Sequence, residues 1–270
     1  MTLTWSGEHY ADHTAHHRAY DDVLLGRLNE LPADGIVVDV GCGVGDFTRG
    51  LRERVPRGRV IGVDADPSMI STARKKHHGL GPLGLTSVTF TVLPAQGIGR
   101  LDAVRPGTVD AIVSTACLHW VPAADHAAVL SGARRLLRPG GQWCVEFGGA
   151  GQLEALRVIL DPLARDFGGG APRWFFPQAT EYASLVTAAG FVDVEVELVR
   201  QKRTMLDALA LRGLLTSQVL VAYLTSIDSD RHQEFTDLAC EAVVAMAERS
   251  LPPNYDVDYV RVVASAVNPS

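Results

Sequence analysis

The stretch VVDVGCGVGDF, residues 37–47, decides the fold of this chain. An apolar, β-branched run ends in three glycines at alternate positions, Gly41, Gly43 and Gly45, and helix-forming residues follow. Gly41 permits a turn away from the strand, and Gly43 lets backbone approach a ligand with no Cβ in the way. A glycine-rich turn between a strand and a helix is typical of a nucleotide site, which predicts an α/β fold with such a site here.

Outward from this turn, short β-branched runs alternate with helical patterns, as is typical of a parallel sheet that helices cover on both faces. Strands are predicted at 36–40, 59–63, 88–92, 109–114, 142–147, 192–200 and 257–267. Helices are predicted near 45–54, 67–77, 124–137, 152–166 and 178–189. In 192–200 Val alternates with Asp or Glu, which indicates an edge strand with one solvated face.

The organisation of the chain follows from a long helical pattern near its end. Apolar positions in 204–250 recur at three- and four-residue spacing, which predicts a helical insertion ahead of the final strand. We therefore expect four segments: an N-terminal helical lid at 1–30, a Rossmann-like core at 31–203, a helical insertion at 204–256 that caps the substrate, and the last strand of the core sheet at 257–270.

The overall composition excludes several classes of protein. The formal net charge of −6 argues against a nucleic-acid partner, because phosphate binding needs clustered positive charge. No stretch approaches the roughly 18 apolar residues that cross a bilayer, so no membrane span is expected. The cysteines at 42, 117, 144 and 240 form no C-x-x-C pair and fit neither a zinc site nor a disulfide framework. We expect a reduced, cytoplasmic protein.

The glycine turn also restricts the kind of nucleotide. Asp64 ends the second predicted strand 19 residues beyond Gly45, close to the spacing at which a carboxylate binds ribose hydroxyls. The spacing is G-x-G-x-G, and Asp46 stands where a dinucleotide site has a third Gly or Ala. That carboxylate and Asp39 would repel a pyrophosphate at the helix N-terminus. S-adenosylmethionine, which is cationic and has no phosphate, fits the turn better.

With these residues the chain resembles a class I S-adenosylmethionine-dependent methyltransferase over its whole length. The matching segments are VVDVGCGVGDFT, VIGVDADPSMI, VDAIVSTACLHWV and LLRPGGQWCVEF. Within that superfamily it is most similar to the trans-aconitate methyltransferases, through Trp5, Tyr10, LHWV and EYASLVTAAGFVDVEV. The resemblance implies a seven-stranded sheet of order 3-2-1-4-5-7-6 with the last strand antiparallel.

The resemblance also implies how the cofactor is held. The first strand supplies Asp39, the glycine turn supplies Gly41 and Gly43, and the second strand supplies Asp64, which is expected on the ribose. Adenine is expected near Ala65, Met69 and Ala95, although Met69 is equally a candidate core residue. The family commonly has an acidic residue after the third strand, whereas this chain reads LPAQG, so the amide oxygen of Gln96 would accept from adenine. The Ser114 hydroxyl either hydrogen-bonds the methionine part of the cofactor or only satisfies a backbone group.

Methyl transfer requires mainly alignment of the acceptor and exclusion of water. A general base is needed only for a protonated hydroxyl or amine, whereas a carboxylate acceptor needs a cationic clamp. His119, after the fourth strand, is a candidate base or hydrogen-bonding group for the substrate. The alternative is that His119 merely packs against Trp120, itself a candidate substrate contact.

The N-terminal segment carries four histidines, His9, His13, His16 and His17, at spacings of four, three and one. A helical lid over the cofactor that contributes Tyr10, His13 or His17 is the favoured interpretation. A solvated helix face is the alternative. We expect no metal ion, because no acidic or cysteine partner has helical ligand spacing with these histidines.

The segment RWFFP follows three glycines and an Ala-Pro pair, which indicates an irregular loop. Trp174 and Phe175 are candidate walls of a substrate pocket, and Arg173 is a candidate bidentate clamp for an anion. Arg18 on the lid is a second candidate clamp. The aromatic residues would equally serve to anchor the insertion.

These features predict a methyltransferase for a small molecule, with O-methylation of a carboxylate or hydroxyl favoured. N- or C-methylation of a secondary metabolite is an alternative. A third possibility is a cofactor-binding protein or cyclase that keeps the fold without transferring methyl groups.

Overall fold

The computed structural model describes residues 18–77 and 87–269. Its strands are β1 Ile36–Val40, β2 Arg59–Asp64, β3 Ser87–Val92, β4 Val109–Thr115, β5 Leu137–Gly148, β6 Val192–Thr204 and β7 Asp256–Val267. In these residues the strands form one seven-stranded sheet of order β3-β2-β1-β4-β5-β7-β6. β1 to β5 are parallel, and β7 is antiparallel to both β5 and β6. The predicted fold and strand order are confirmed.

Helices cover both faces of this sheet. They are α1 Arg18–Arg27, α2 Asp46–Gly50, α3 Pro67–Lys76, α4 His126–Leu136, α5 Glu154–Asp166, α6 Ala179–Ala188, α7 Ala208–Leu214, α8 Leu220–Leu224 and α9 His232–Ala247. A π-helical turn, Leu215–Val219, joins α7 to α8. Within the described ranges, no helix is long and apolar enough to cross a membrane.

The main core lies between the central strands and their helices. β1 and β4 are buried almost throughout, because α/β packing covers both faces of these strands. β6 alternates exposed and half-buried positions at the edge of the sheet, as its sequence predicted.

The boundary between α4 and β5 differs from the prediction. The helix ends at Leu136, and β5 begins at Leu137 rather than at 142. Leu137 pairs with Val109 of β4, and the side-chain amide of Asn268 donates to Leu137 O at 2.9 Å. These contacts with residues distant in sequence explain why the residues around Pro139 belong to the strand.

The helical insertion is interrupted rather than continuous. Helix α8 ends at Leu224, and α9 begins only at His232. The hydroxyls of Thr225 and Ser226 donate to the carbonyls of Ala222 and Tyr223, at 2.7 and 3.0 Å. Such side-chain bonds to backbone compete with continued helix, which accounts for the break.

A second hydrophobic core joins this insertion to α5. Leu156 and Leu160 of α5 pack with Leu215, Phe235 and other apolar residues of the insertion. The Tyr223 hydroxyl also donates to Asp161 of α5 at 2.6 Å. The insertion is thereby fixed above one end of the sheet.

Part of the expected N-terminal lid is described. Leu24 of α1 and Leu28 just after it pack into a core cluster with strand residues of the sheet. Arg27 forms ion pairs with Glu195, at 2.7 Å, and with Glu197 of β6. Residues 1–17, including Tyr10, His13 and His17, lie outside the described residues, as does the Arg18 side chain.

Helix α4 packs against the turn Ala95–Arg100 through two glycines. A Cβ at Gly132 would lie 2.7 Å from Gly99 N, which is backbone and cannot move aside. We expect Gly132→Ala to lower the free energy of unfolding by about 1–3 kcal/mol. The matched control is Gly26→Ala in α1, where nothing lies within 4 Å of the added Cβ. That change should stabilise the protein by about 0.5–1 kcal/mol. Urea unfolding measures both, and equal effects would contradict this packing.

Candidate active site

The chain leaves β1 through a turn that only glycine adopts without strain. Gly41, Gly43 and Gly45 have φ values of 77, 52 and 85°. A Cβ on Gly41 would lie 2.2 Å from Cys117 Sγ, and one on Gly45 would lie 2.6 Å from the Phe90 ring. The third glycine therefore serves close packing against Phe90, while Gly41 and Gly43 line a cavity.

Asp64, at the end of β2, is fixed by two backbone groups. Its Oδ2 accepts from Gly43 N at 3.0 Å, and its Oδ1 accepts from Asp66 N at 2.8 Å. Burial raises the pKa of this carboxyl above its usual value, although the backbone N–H groups oppose the shift. The carboxylate is held rigidly beside the glycine turn and lines the same cavity.

This first cavity has a volume of about 270 Å³. Seven of the predicted cofactor residues line it: Gly41, Gly43, Asp64, Ala65, Met69, Ala95 and Gln96. Apolar walls are added by Leu93, Pro94, Val121 and Pro122. The donor set fits S-adenosylmethionine, because a carboxylate suits ribose hydroxyls and the apolar walls with Gln96 suit an adenine ring.

Two other expected cofactor residues lie behind this cavity. Ser114 is fully buried, and its hydroxyl donates to Val40 O at 2.7 Å, joining β4 to β1. Of the two alternatives for Ser114, the structure shows the second, in which the hydroxyl satisfies a backbone carbonyl. Asp39 is also buried and accepts from the Thr48 hydroxyl at 2.6 Å. It supports the turn from within and does not line the cavity.

A second, smaller cavity of about 50 Å³ adjoins the first. Ala116 and Trp120 line both cavities. Its other lining residues come from the sheet end, the aromatic loop and the insertion, and include His119, Gln152, Trp174, Phe176, Gln218, Val219, Tyr259 and Arg261. A molecule in the second cavity would meet a cofactor in the first across Ala116 and Trp120.

His119 lines this second cavity and also packs against Trp120. Its Nδ1 accepts from Gly148 N at 3.3 Å, and its ring centroid lies 5.2 Å from that of Trp120. Burial, with a smaller contribution from Arg261, lowers the pKa of His119 well below its usual value. The imidazole is therefore neutral at neutral pH.

Arg261 supplies a cation to the second cavity. Its guanidinium forms a two-pronged ion pair with Glu146, through Nε to Oε1 and through Nη2 to Oε2 at 2.8 Å. Both side chains are almost fully buried. Glu146 also accepts two hydrogen bonds from Ala116 N, one at 2.8 Å to its backbone oxygen and one at 3.3 Å to its side-chain Oε2. Ala116 has a φ of 51°, which lies in the left-handed region.

The sequence interpretation missed this ion pair, although a signal was present. Glu146 and Arg261 are each a lone charge within an apolar run, in QWCVEF and YVRVVASAV. Charges in such strands are costly unless they are paired, which indicates that they pair with each other.

The aromatic loop is arranged differently from the prediction. Phe175 packs in the main core, with its ring 4.4 Å from His126, and lines neither cavity. Phe176 lines the second cavity instead, stacked at 5.4 Å on Trp174, which lines it as expected. Arg173 is exposed and lines neither cavity, so the structure does not bring it together with the other predicted substrate residues.

Comparison with known proteins finds similar methyltransferases. A family model described as a methyltransferase domain matches residues 37–141. Trans-aconitate 2-methyltransferase of Azoarcus sp. is 29% identical over 262 residues, covering 94% of this chain and 93% of that protein. Trans-aconitate 2-methyltransferase of Streptomyces coelicolor is 35% identical over 156 residues, and this match covers 54% of this chain and 46% of the Streptomyces protein.

A solved structure shows the same fold. Haemonchus contortus phosphoethanolamine N-methyltransferase 2 in complex with S-adenosyl-L-methionine superposes with a TM-score of 0.60 and 18% identity. The match covers 98% of this chain and 57% of that one.

The strand order and the glycine turn with Asp64 agree with the expected resemblance to class I S-adenosylmethionine-dependent methyltransferases, and residues 37–141 match a methyltransferase domain. The chain is an S-adenosylmethionine-dependent methyltransferase, and S-adenosylmethionine is its cofactor. Within the class it is similar to the trans-aconitate methyltransferases.

The contact between Asp64 and Gly43 leads to a prediction for cofactor affinity. Asp64→Asn replaces one acceptor oxygen with an amide N–H, which cannot accept from Gly43 or Asp66. We expect the affinity for S-adenosylmethionine to fall about 10- to 100-fold, measured by titration calorimetry. The matched control is Asp46→Asn, because Asp46 is exposed and pairs with Lys76 at 2.7 Å. If the wild type and the Asp64 variant bound S-adenosylmethionine equally tightly, the assignment of Asp64 as the ribose-binding residue would be wrong.

Proposed function

We propose that this enzyme methylates a carboxylate oxygen of a small molecule. The observation that carries the proposal is the charge of the second cavity. Among the described residues that line it, Arg261 is the one with a formal charge, and none is Asp or Glu. A carboxylate only accepts hydrogen bonds, and a guanidinium only donates them, so the two are matched in both charge and hydrogen bonding.

Arg261 is suited to this task because Glu146 holds it in place. A guanidinium has five N–H groups, and Glu146 engages its Nε and Nη2. Neighbouring polar groups add donors, since Arg203 Nη1 donates to the Tyr259 hydroxyl at 3.2 Å, and that hydroxyl can donate in turn. The polar side of the cavity therefore favours an anion.

The chemistry requires little from the protein beyond placement. When bound, S-adenosylmethionine supplies an electrophilic methyl group, whose transfer to a carboxylate oxygen breaks the carbon–sulfur bond, leaves the electron pair on sulfur and releases no proton. The residues of the second cavity would bind the acceptor, orient it towards the wall formed by Ala116 and Trp120, and exclude water. The trans-aconitate methyltransferase relatives support a carboxylic acid as acceptor.

Two organisational predictions belong to the same proposal. The segment 204–256 would act as a substrate cap, because its Gln218 and Val219 line the second cavity. Residues 1–30 would act as a lid that brings Tyr10, His13, His17 and Arg18 to the site.

We also place the enzyme in the reduced cytoplasm, to which the free thiols of all four cysteines are suited.

The direct test is a methyl-transfer assay with methyl-labelled S-adenosylmethionine. The protein is incubated with a panel of di- and tricarboxylic acids, with hydroxylated metabolites and with cell extract, and products are identified by mass spectrometry. We expect a labelled ester that alkaline hydrolysis removes. A labelled ether or amine would contradict the carboxylate assignment. Cofactor binding without any labelled product would favour a protein that does not transfer methyl groups.

The ion pair leads to a prediction that separates binding from stability. Arg261→Met leaves Glu146 buried and unpaired, which should lower the free energy of unfolding by about 3–5 kcal/mol. The double variant Arg261→Met/Glu146→Gln removes both charges and should regain most of that stability. We nevertheless expect it to lose about 100-fold or more in kcat/KM for the carboxylic acid.

The matched control for this pair is Arg165→Met, which removes an exposed arginine from α5 and should change neither quantity. A stable double variant with wild-type kcat/KM would show that Arg261 does not hold the acceptor.

A further inference from the structure

His119 has its two ring nitrogens in different surroundings. Nδ1 faces the backbone N–H of Gly148 at 3.3 Å, whereas the ring lines the second cavity. In the part of the chain that the structure describes, Nε2 has no hydrogen-bonding partner. The two nitrogens must therefore have different functions.

The contact with Gly148 determines which nitrogen carries the proton. A backbone N–H can only donate, so Nδ1 must be the acceptor and must be unprotonated. A neutral imidazole then carries its hydrogen on Nε2. The opposite tautomer would set two hydrogens against each other across the 3.3 Å contact.

The ring is also held in this orientation. It lies between Trp120, at 5.2 Å between centroids, and Phe176, at 5.8 Å. The carbonyl of His119 accepts from Phe175 N at 3.0 Å, which fixes the backbone. A flip that exchanged the two nitrogens would break the bond to Gly148.

The charges around His119 also disfavour a second proton. Arg261 lines the same cavity, and an imidazolium beside a guanidinium would be repelled. Glu146 is the carboxylate next to this cation, and it is already paired with Arg261. The site therefore favours the neutral ring.

We propose that His119 is a hydrogen-bond donor to the acceptor, through Nε2–H, and not a general base. This inference rests on the proposed carboxylate methylation. One oxygen of the acceptor would bind His119 Nε2–H and the Arg261 side of the cavity, while the other keeps a lone pair towards the methyl donor. His119 is then a catalytic residue that selects as well as orients the acceptor.

The selection follows from what a donor cannot do. A hydroxyl acceptor could accept from Nε2–H through a lone pair, but its own proton would then find no base on His119. An ammonium group has no lone pair, so it would leave the buried donor unsatisfied and would also find no base. Sites with fixed hydrogen-bonding groups reject mismatched substrates strongly.

Two variants of His119 distinguish a donor from a base. His119→Gln carries an amide N–H near the position of Nε2 and cannot take up a proton, whereas His119→Phe keeps the ring and removes the donor. We expect kcat/KM of the Gln variant to stay within about 10-fold of the wild type, and that of the Phe variant to fall about 100-fold or more. If His119 were a base, the two variants would lose activity to the same extent, which would overturn the inference.

A second measurement reads the tautomer without any methyl transfer. Long-range ¹H–¹⁵N correlation spectra of the full chain, compared with those of His119→Gln to assign the signals, should show a proton on Nε2 and no titration near pH 6.5. A proton on Nδ1, or titration at that pH, would contradict the inference.

If the wild type forms no labelled ester, the proposed function fails while the tautomer remains measurable. If the ester forms but the Gln and Phe variants are equally inactive, only the role of His119 fails.

Discussion

The buried carboxylate of Glu146 is the constraint on which both cavities depend. It joins three adjacent strands at the same end of the sheet, because it belongs to β5, pairs with Arg261 of β7 and accepts from Ala116 after β4. A desolvated charge requires such partners, and losing one of them is costly. The same contacts that satisfy Glu146 place a guanidinium in the acceptor cavity and hold Ala116 in its left-handed conformation. Stability and function are therefore coupled at this residue.

The two cavities are built from largely separate parts of the chain. The first uses the turns that follow β1, β2 and β3, where glycines and strand ends make local structure decisive, together with the segment that follows β4. The second uses the ends of β4 and β7, the aromatic loop and the insertion. Ala116 and Trp120 line both cavities. The methyl-donor cavity and the proposed acceptor cavity are therefore lined mostly by different residues.

The sequence predicted what local patterns determine and failed where long-range register decides. The buried strands, Gly41, Gly43 and Asp64 follow from alternation, turn chemistry and strand ends, and resemblance supplied the sheet order. Arg261 was missed because its partner is 115 residues away, and only the antiparallel register of β5 and β7 brings them together. Phe176 lines the second cavity and Phe175 packs in the core, because the side of an extended segment that faces the core depends on its packing. Ser114 could bond either ligand or backbone, and Val40 O is its partner.

The position of the insertion has a consequence for how such enzymes diverge. It leaves the sheet after Thr204 and returns at Asp256, and these residues are paired neighbours whose side chains bond at 2.6 Å. The insertion is thus closed at its base like the loop of a hairpin, and the sheet places no limit on its length or internal structure. Doubling such a loop costs only about 0.6 kcal/mol in closure entropy. The junction between β6 and β7 is therefore a natural graft point, where one acceptor-binding module can be exchanged for another while the machinery for the methyl donor is inherited unchanged.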